Sequence, residues 1–416
     1  MRKYYLRGLL CIFGMVLCCS CKKNDAKYEQ ESTMVPEQNQ YENDSMDNCD
    51  EGWDDNVICT LVPYESEEPV RETESSNVTT KEPQTSQATK TPQTSQATKT
   101  PQPQQATKAP KTSQTAKPSS KSGTIPDSLK EISREDTLKS GKQGKIEKLT
   151  YDTWEAYSYE KKSQKLTKTA YVYVPYGYSI SQKYNIFYLS HGMTCTEATY
   201  MGTDTYARSF KNVIDNAMAD GRMKPMILVM LTYNNTSSTD SSDMTKCSYL
   251  TEHYQNELLN DLIPAVEGKY STYADNTTLE GIKNSRDHRG FGGFSMGSIH
   301  TWCTFRQCLS YFRYFMPMCC PSYSANASQL AKSVTSQGYG KDDFFIFSAA
   351  GTNDFSHNDM QKQFDAMEKD SSGMFKTGHS ESEGNMIFFS KQGYNHDGQS
   401  MDEFTYNALC FFWNEK

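Results

Sequence analysis

The stretch Phe291-Gly292-Gly293-Phe294-Ser295-Met296-Gly297-Ser298 carries a Gly-x-Ser-x-Gly pattern, with a glycine-rich run before the serine and a helix-like run after it. A serine on a sharp strand-to-helix turn holds its hydroxyl clear of the backbone, where a base can reach it. Glycine on either side permits the tight turn and lets a substrate approach closely. The five letters alone are weak, because small-residue turns produce them by chance.

Two further pieces supply context. After the apolar run Phe344-Phe345-Ile346-Phe347 comes Ala349-Ala350-Gly351-Thr352-Asn353-Asp354, a carboxylate just past the end of an expected strand. After Met386-Ile387-Phe388-Phe389 comes Gly393-Tyr394-Asn395-His396-Asp397-Gly398, a histidine on a loop before the last helix. The chain order is nucleophile, acid, histidine, as in α/β-hydrolases, and catalytic groups of open α/β sheets sit beyond the carboxyl ends of the strands. The reading is therefore a triad of Ser295, His396 and Asp354. Asp359 and Asp397 compete for the acid role. Asp397, adjacent to the histidine, points away from it on most loops. His357 and His379 are the other candidate bases, while His191, His253, His288 and His300 read as packing or helix residues. No His-Glu-x-x-His or paired Cys-x-x-Cys suggests a metal, so the expected chemistry uses neither metal nor cofactor.

The rest of the chain is unevenly apolar. Arg2, Lys3 and Arg7 precede an apolar core from Leu9 to Leu17, too short to span a bilayer comfortably. Residues 1–23 thus read as a signal peptide of lipoprotein type. Cys21 is the residue to be lipidated, with plain secretion as the alternative. Residues 24–124 read as a disordered linker, first acidic and then a tandem repeat, Pro83 to Thr91 and Pro92 to Thr100, with a looser copy to Ala109. Units of Pro, Gln, Thr, Ser, Ala and Lys bury too little surface to offset their ordering entropy. Such a tether has an r.m.s. reach of about 50–60 Å.

Residues 125–416 suit one α/β domain. Tyr171 to Val174 has strand composition, and Ile186 to Leu189 and Met226 to Leu231 read as buried parallel strands. Phe210 to Met218, Leu258 to Val266, Ser298 to Cys308 and Phe404 to Phe412 have helical character, and the polar stretch from Pro126 to about Lys165 reads as an edge hairpin. Strands alternating with helices argue for an α/β-hydrolase fold, a mostly parallel sheet flanked by helices. Seven cysteines follow residue 190, an odd number whose spacing dictates no pairing, and they read first as small buried hydrophobes. The net charge of −8 and the lack of a basic stripe argue against a nucleic-acid partner.

From about Thr169 onward the chain resembles the feruloyl and acetyl-xylan esterases of carbohydrate esterase family 1, relatives of esterase D. The matching stretches are Tyr184-Asn185-Ile186-Phe187-Tyr188-Leu189-Ser190-His191-Gly192, Asp287-His288-Arg289-Gly290-Phe291-Gly292-Gly293-Phe294-Ser295-Met296-Gly297, Tyr314-Phe315-Met316-Pro317, Gly351-Thr352-Asn353-Asp354 and the loop around His396. The resemblance implies the same triad, with feruloylated or acetylated xylan fragments as substrates, feruloyl ranked first. The N-terminal segment implies a surface location, lipid-anchored if Cys21 is modified, or secretion. An oxyanion needs two donors, and the N–H of Met296 is the expected first. The second is expected from His191-Gly192-Met193-Thr194, where relatives often have more glycines; Met193 and Thr194 are the candidates. Where relatives carry Ser-Gly-Asp and aromatics, this chain has Cys319-Cys320-Pro321-Ser322-Tyr323, which makes Tyr323 the candidate pocket wall. The run from Asn234 to Ser242 is a candidate lining for the sugar side. Competing readings are a non-catalytic carbohydrate-binding lipoprotein and, on the same fold, an acyltransferase or siderophore esterase.

Overall fold

The computed structural model describes residues 123–414. The signal segment with Cys21 and nearly all of the linker lie outside the described residues. Eight strands form one sheet: β1 (Lys145–Trp154), β2 (Lys165–Val174), β3 (Asn185–Ser190), β4 (Met226–Leu231), β5 (Arg289–Phe294), β6 (Tyr314–Met318), β7 (Phe345–Gly351) and β8 (Met386–Lys391). Their order is β1-β2-β4-β3-β5-β6-β7-β8. Strands β3 to β8 run parallel to one another, whereas β2 runs antiparallel to both β1 and β4.

The burial of each strand explains its composition. Every residue of β4, β5, β6 and β7 is buried, because helices cover both faces of a parallel sheet, and these segments read as unbroken apolar or glycine runs. Strand β1 alternates in and out, and only the second half of β2 is continuously buried. The hairpin expected over residues 126–165 is thus displaced toward the C-terminus. Its strands are β1 and β2, and the polar start of β2 had hidden half of its length.

The helices of nine or more residues are α1 (Ser209–Ala219), α2 (Met244–Glu252), α3 (Met296–Cys308), α4 (Ala327–Ser336), α5 (His357–Glu368) and α6 (Gly398–Phe411). The helical run expected over 258–266 is present, but its middle, Leu258–Leu262, is π-helical. A buried ion pair fastens that run to the sheet: Arg289 on β5 places two guanidinium nitrogens on the Glu267 carboxylate at 2.6 and 2.8 Å. Removing one partner of such a pair would strand a buried charge. Aromatic rings fill the space between α6 and the sheet, with Phe412 stacked on Phe187 and close to Tyr314. No helix of the described residues is long and apolar enough to cross a membrane. The seven cysteines of the described residues are all free thiols, most of them buried.

Candidate active site

Strand β5 ends in a turn that only small neighbours allow. Ser295 has φ 61° and ψ −118°, a conformation that L-residues seldom adopt. Gly293 and Gly297 make it feasible: a Cβ on Gly297 would fall 2.1 Å from the carbonyl oxygen of Ser190, and one on Gly293 would fall 2.4 Å from the same atom. The turn is held from three sides. Ser295 N–H donates to the Met318 carbonyl at 2.9 Å. Tyr200 donates its hydroxyl proton to the Ser190 carbonyl and accepts from Phe294 N–H at 3.0 Å, joining the ends of β3 and β5. Just past the end of β6, the Cys320 carbonyl accepts from the Ser298 hydroxyl and from the Trp302 indole. Ser295 remains partly exposed and stands at the N-cap of α3 without a capping bond from its side chain, so it does not consume the free N–H groups of the first turn.

Asp354 and His396 come from the loops after β7 and β8, which are tied together by bonds from Thr352 N–H to Lys391 O (2.9 Å), Asn353 N–H to Tyr394 O (3.0 Å) and the Asn353 amide to Gly393 O (3.0 Å). The result is a 2.7 Å hydrogen bond between His396 Nδ1 and Asp354 Oδ2. The other carboxylate oxygen, Oδ1, accepts from Ser356 N–H at 2.8 Å and from the Ser356 hydroxyl at 2.7 Å. Burial alone would raise the Asp354 pKa, but the hydrogen bond and charge of His396, with the two Ser356 donors, outweigh it and hold the carboxyl below its ordinary value. The imidazole of His396 lies between Phe294, the residue before Ser295, at 4.7 Å, and Phe355, the residue after Asp354, at 4.5 Å between ring centres. The ring of Phe294 therefore links the histidine to the serine turn.

The competing residues have other partners. Asp397 caps α6 by accepting from Ser400 N–H, Asp359 pairs with Lys362 at the surface, and His357 bonds the Ser390 hydroxyl. His379 contacts the Ile125 carbonyl, and His300 is buried against the Ser190 hydroxyl.

The loop after β3 flanks the serine, since a Cβ on Gly192 would sit 3.5 Å from Ser295 Cβ. His191 fixes this loop. Its ring is buried, Nδ1–H donates to the Gly192 carbonyl at 2.8 Å, and Nε2 accepts from the Thr232 hydroxyl at 2.8 Å. Met296, at the start of α3, is buried. The Thr194 N–H donates to the Ser241 carbonyl at 2.8 Å, so that candidate donor is already engaged and Met193 is left as the loop's choice. Tyr323 is partly buried beside Cys320, its phenol pKa raised by burial and then by Cys320 and Asp359.

Three residues at the site were not singled out by sequence reasoning: Ser356, Phe355 and Cys319. Cys319 Sγ lies with an Asp354 oxygen and a His396 nitrogen in a group whose ligand atoms are all within 4.8 Å of one another. Such a trio has the donor set for a soft metal. Burial and the neighbouring Asp354 charge, however, push the Cys319 thiol far above its usual pKa and disfavour the thiolate that a metal needs. A family resemblance already hinted at this position, where Cys319-Cys320 departs from the usual pattern.

Known proteins resemble this chain in sequence and in fold. The model of the Esterase family, described as "Putative esterase", matches residues 163–367. Among curated proteins, endo-1,4-beta-xylanase Y of Acetivibrio thermocellus is 36% identical over 254 residues, 60% of this chain and 22% of the relative. The endo-1,4-beta-xylanase/feruloyl esterase of Xylanibacter ruminicola is 30% identical over 139 residues, 32% of this chain and 17% of the relative. The chain thus spans about a fifth of the length of these curated relatives. Among solved structures, a serine-to-alanine mutant of the feruloyl esterase module from Clostridium thermocellum complexed with sinapinate is 32% identical, with a TM-score of 0.60, covering 71% of this chain and 96% of that one.

Proposed function

The chain belongs to the esterase family that includes this clostridial module, carbohydrate esterase family 1, and from that premise we propose that it is a serine hydrolase removing feruloyl groups, and secondarily acetyl groups, from xylan. The observation that carries the reading is the 2.7 Å His396–Asp354 pair beside the strained Ser295 turn. Ser295 is the nucleophile. Its hydroxyl is too weakly acidic to attack unaided at neutral pH, so His396 Nε2 takes the proton as the oxygen bonds to the ester carbonyl carbon. Asp354, accepting from Nδ1–H, fixes the tautomer in which Nε2 is free to accept and stabilises the imidazolium that forms.

The carbonyl oxygen becomes an oxyanion, held by Met296 N–H and Met193 N–H, with the positive end of α3 adding to the first. Collapse of the tetrahedral intermediate breaks the bond to the sugar oxygen, which leaves with the proton from His396. Water then attacks the acyl-enzyme, with His396 as base, and releases the acid. Tyr323 walls the acyl pocket. Cofactors are not required for these steps. In this reading residues 1–23 export the chain and Cys21 carries a lipid that anchors it at the cell surface, the linker holding the esterase domain away from the membrane.

The test is release of ferulate from a feruloylated arabinoxylan fragment, compared with hydrolysis of p-nitrophenyl acetate. The intact chain should turn over both, and Ser295→Ala should lower kcat by about 10⁶. A native chain that hydrolyses no ester and is matched by Ser295→Ala ends the proposal.

A further inference from the structure

The β1–β2 hairpin overshoots the sheet on the side where the triad lies. Tyr171 of β2 pairs with Met230 near the end of β4, and the hairpin continues to Trp154 opposite Lys165. Those six further residues reach about 20 Å past Met230 at roughly 3.4 Å each. The hairpin turn therefore stands beyond the carboxyl end of β4, on the rim that carries Ser295, Asp354 and His396. At its tip Tyr157 is 52% exposed. Its ring stacks on Tyr249 of α2 at 4.3 Å and 14°, and Tyr249 stacks on the exposed His253 at 4.0 Å and 15°. Tyr157 and His253 are thus exposed on either side of Tyr249, which is half-buried and packs against the core.

Hydrogen bonds hold this row to the loop beside the serine. Glu155 accepts from Tyr157 N–H (2.9 Å), the Ser158 hydroxyl (2.8 Å) and the Asn235 amide (2.7 Å), and Asn235 Oδ1 accepts from Ala156 N–H (3.0 Å). The adjacent Asn234 accepts from Ser241 N–H and donates to the Cys195 carbonyl, while the Ser241 carbonyl takes the Thr194 N–H. Between the two lies an exposed run of hydroxyls, residues 236–239. Sideways, β2 is three strand spacings from β5, about 14 Å.

We propose that the Tyr157–Tyr249–His253 stack and the 236–239 loop form a binding surface for the sugar main chain of the esterified polysaccharide. The inference rests on the esterase reading above, since a polymer whose ester enters the acyl pocket must leave its main chain along this rim. A pyranose ring offers an apolar C–H face to an aromatic ring and hydroxyl edges to amides and hydroxyls, and rigid aromatic groups bind it with little entropy loss.

The experiment uses the full chain with Tyr157→Ala, Tyr157→Phe and His253→Ala. Each is assayed on a feruloylated xylo-oligosaccharide and on methyl ferulate, which has the acyl group without the sugar chain. Calorimetry with unesterified xylo-oligosaccharide runs alongside. Expected is a roughly threefold to tenfold fall in the ratio of kcat/KM between the two substrates for Tyr157→Ala, mainly through KM, with Phe restoring it and His253→Ala intermediate. Unesterified oligosaccharide should bind the native chain and bind Tyr157→Ala more weakly by a similar factor. A ratio unchanged within twofold, or no binding of the unesterified oligosaccharide to the native chain, overturns the surface. Should the native chain hydrolyse neither ester, the esterase reading fails while calorimetry still judges the surface.

Discussion

Replacing Asp354 with Asn should all but silence the enzyme, and the hydrogen bonds around the carboxylate say why. Oδ1 faces the N–H of Ser356 at 2.8 Å and Oδ2 faces His396 Nδ1 at 2.7 Å. The Ser356 hydroxyl can rotate to accept, but its backbone N–H cannot. An asparagine must therefore turn its carbonyl oxygen toward Ser356 and its NH2 toward His396. Nδ1 then has to accept, the ring proton moves to Nε2, and the nitrogen proposed as the base for Ser295 can no longer take a proton. The opposite orientation sets two donors face to face in a buried site, at a cost of about 1–3 kcal/mol. At 1.4 kcal/mol per decade this biases the tautomer by about five- to 150-fold. Loss of the negative charge that stabilises the imidazolium adds to it, for a total fall in kcat of about 10³–10⁴, similar to that known for the wrong-tautomer variant of a serine protease triad. The assay is steady-state hydrolysis of methyl ferulate at neutral pH, with circular dichroism to confirm folding. A folded Asp354→Asn protein within tenfold of native activity would refute the tautomer argument.

Two further outcomes follow from the rim. Gly297→Ala drives a methyl group to 2.1 Å from the Ser190 carbonyl oxygen, and the Ser190–His191 backbone it meets leaves little room to yield. About 3 kcal/mol of destabilisation is expected, a fall in Tm of roughly 6–10 °C for a domain of this size, together with lost activity; a change within 2 °C in differential scanning calorimetry contradicts the close-packing account. Acid should also weaken the fold through its buried histidines. Burial lowers the pKa of His191 to about 4, against the opposing bond to the Gly192 carbonyl, and burial likewise lowers that of His288 to about 4. Between about pH 6.5, where an unfolded histidine takes up its proton, and pH 4, the unfolded chain binds protons that the native chain refuses, so stability falls as pH falls. Each such histidine contributes a slope of at most about 1.4 kcal/mol per pH unit. Urea midpoints between pH 7 and 4.5 should show a shallower slope for His191→Asn than for the native chain, and parallel slopes would count against a neutral buried ring.

The parts of the fold legible in the chain are those where one physical demand dominates. Strands β3, β4 and β7 are buried on both faces, so Ile186 to Leu189, Met226 to Leu231 and Phe344 to Phe347 stand out as apolar runs. Strands β1 and β2 answer two demands, water on one face and core on the other. Lys165 to Thr169 is largely polar, with Lys168 alone buried, and half of the strand passed for loop. The π-helical turn at Leu258–Leu262 left no mark, since its apolar spacing differs little from that of an α-helix. At the site, Ser295, Asp354 and His396 could be nominated from the sequence because each follows a recognisable strand end. Ser356 and Phe355 could not, because their parts depend on where neighbouring loops meet.

Cys319 shows the limit most clearly. The register that sets Phe294 beside Met318 puts Ser295 and Cys319 at the same level, one step past the ends of adjacent strands. Both then turn into the left-handed region, at φ 61° and 60°, where a non-glycine residue pays roughly 1–2 kcal/mol. Each is held there by a bond to the next strand, Ser295 N–H to Met318 O and Cys319 N–H to Ala349 O. Two strained residues thus stand side by side, each braced by its neighbour, with the Cys319 thiol close to the Asp354 carboxylate. Sequence patterns mark left-handed positions by glycine or asparagine. Strain of this kind survives only where surrounding contacts over-determine it, and those contacts come from strands far apart in the chain. The serine was readable because its flanking glycines advertise the turn, whereas Cys319, between Met318 and Cys320, has no such neighbours, and only the sheet register reveals that it makes the same turn.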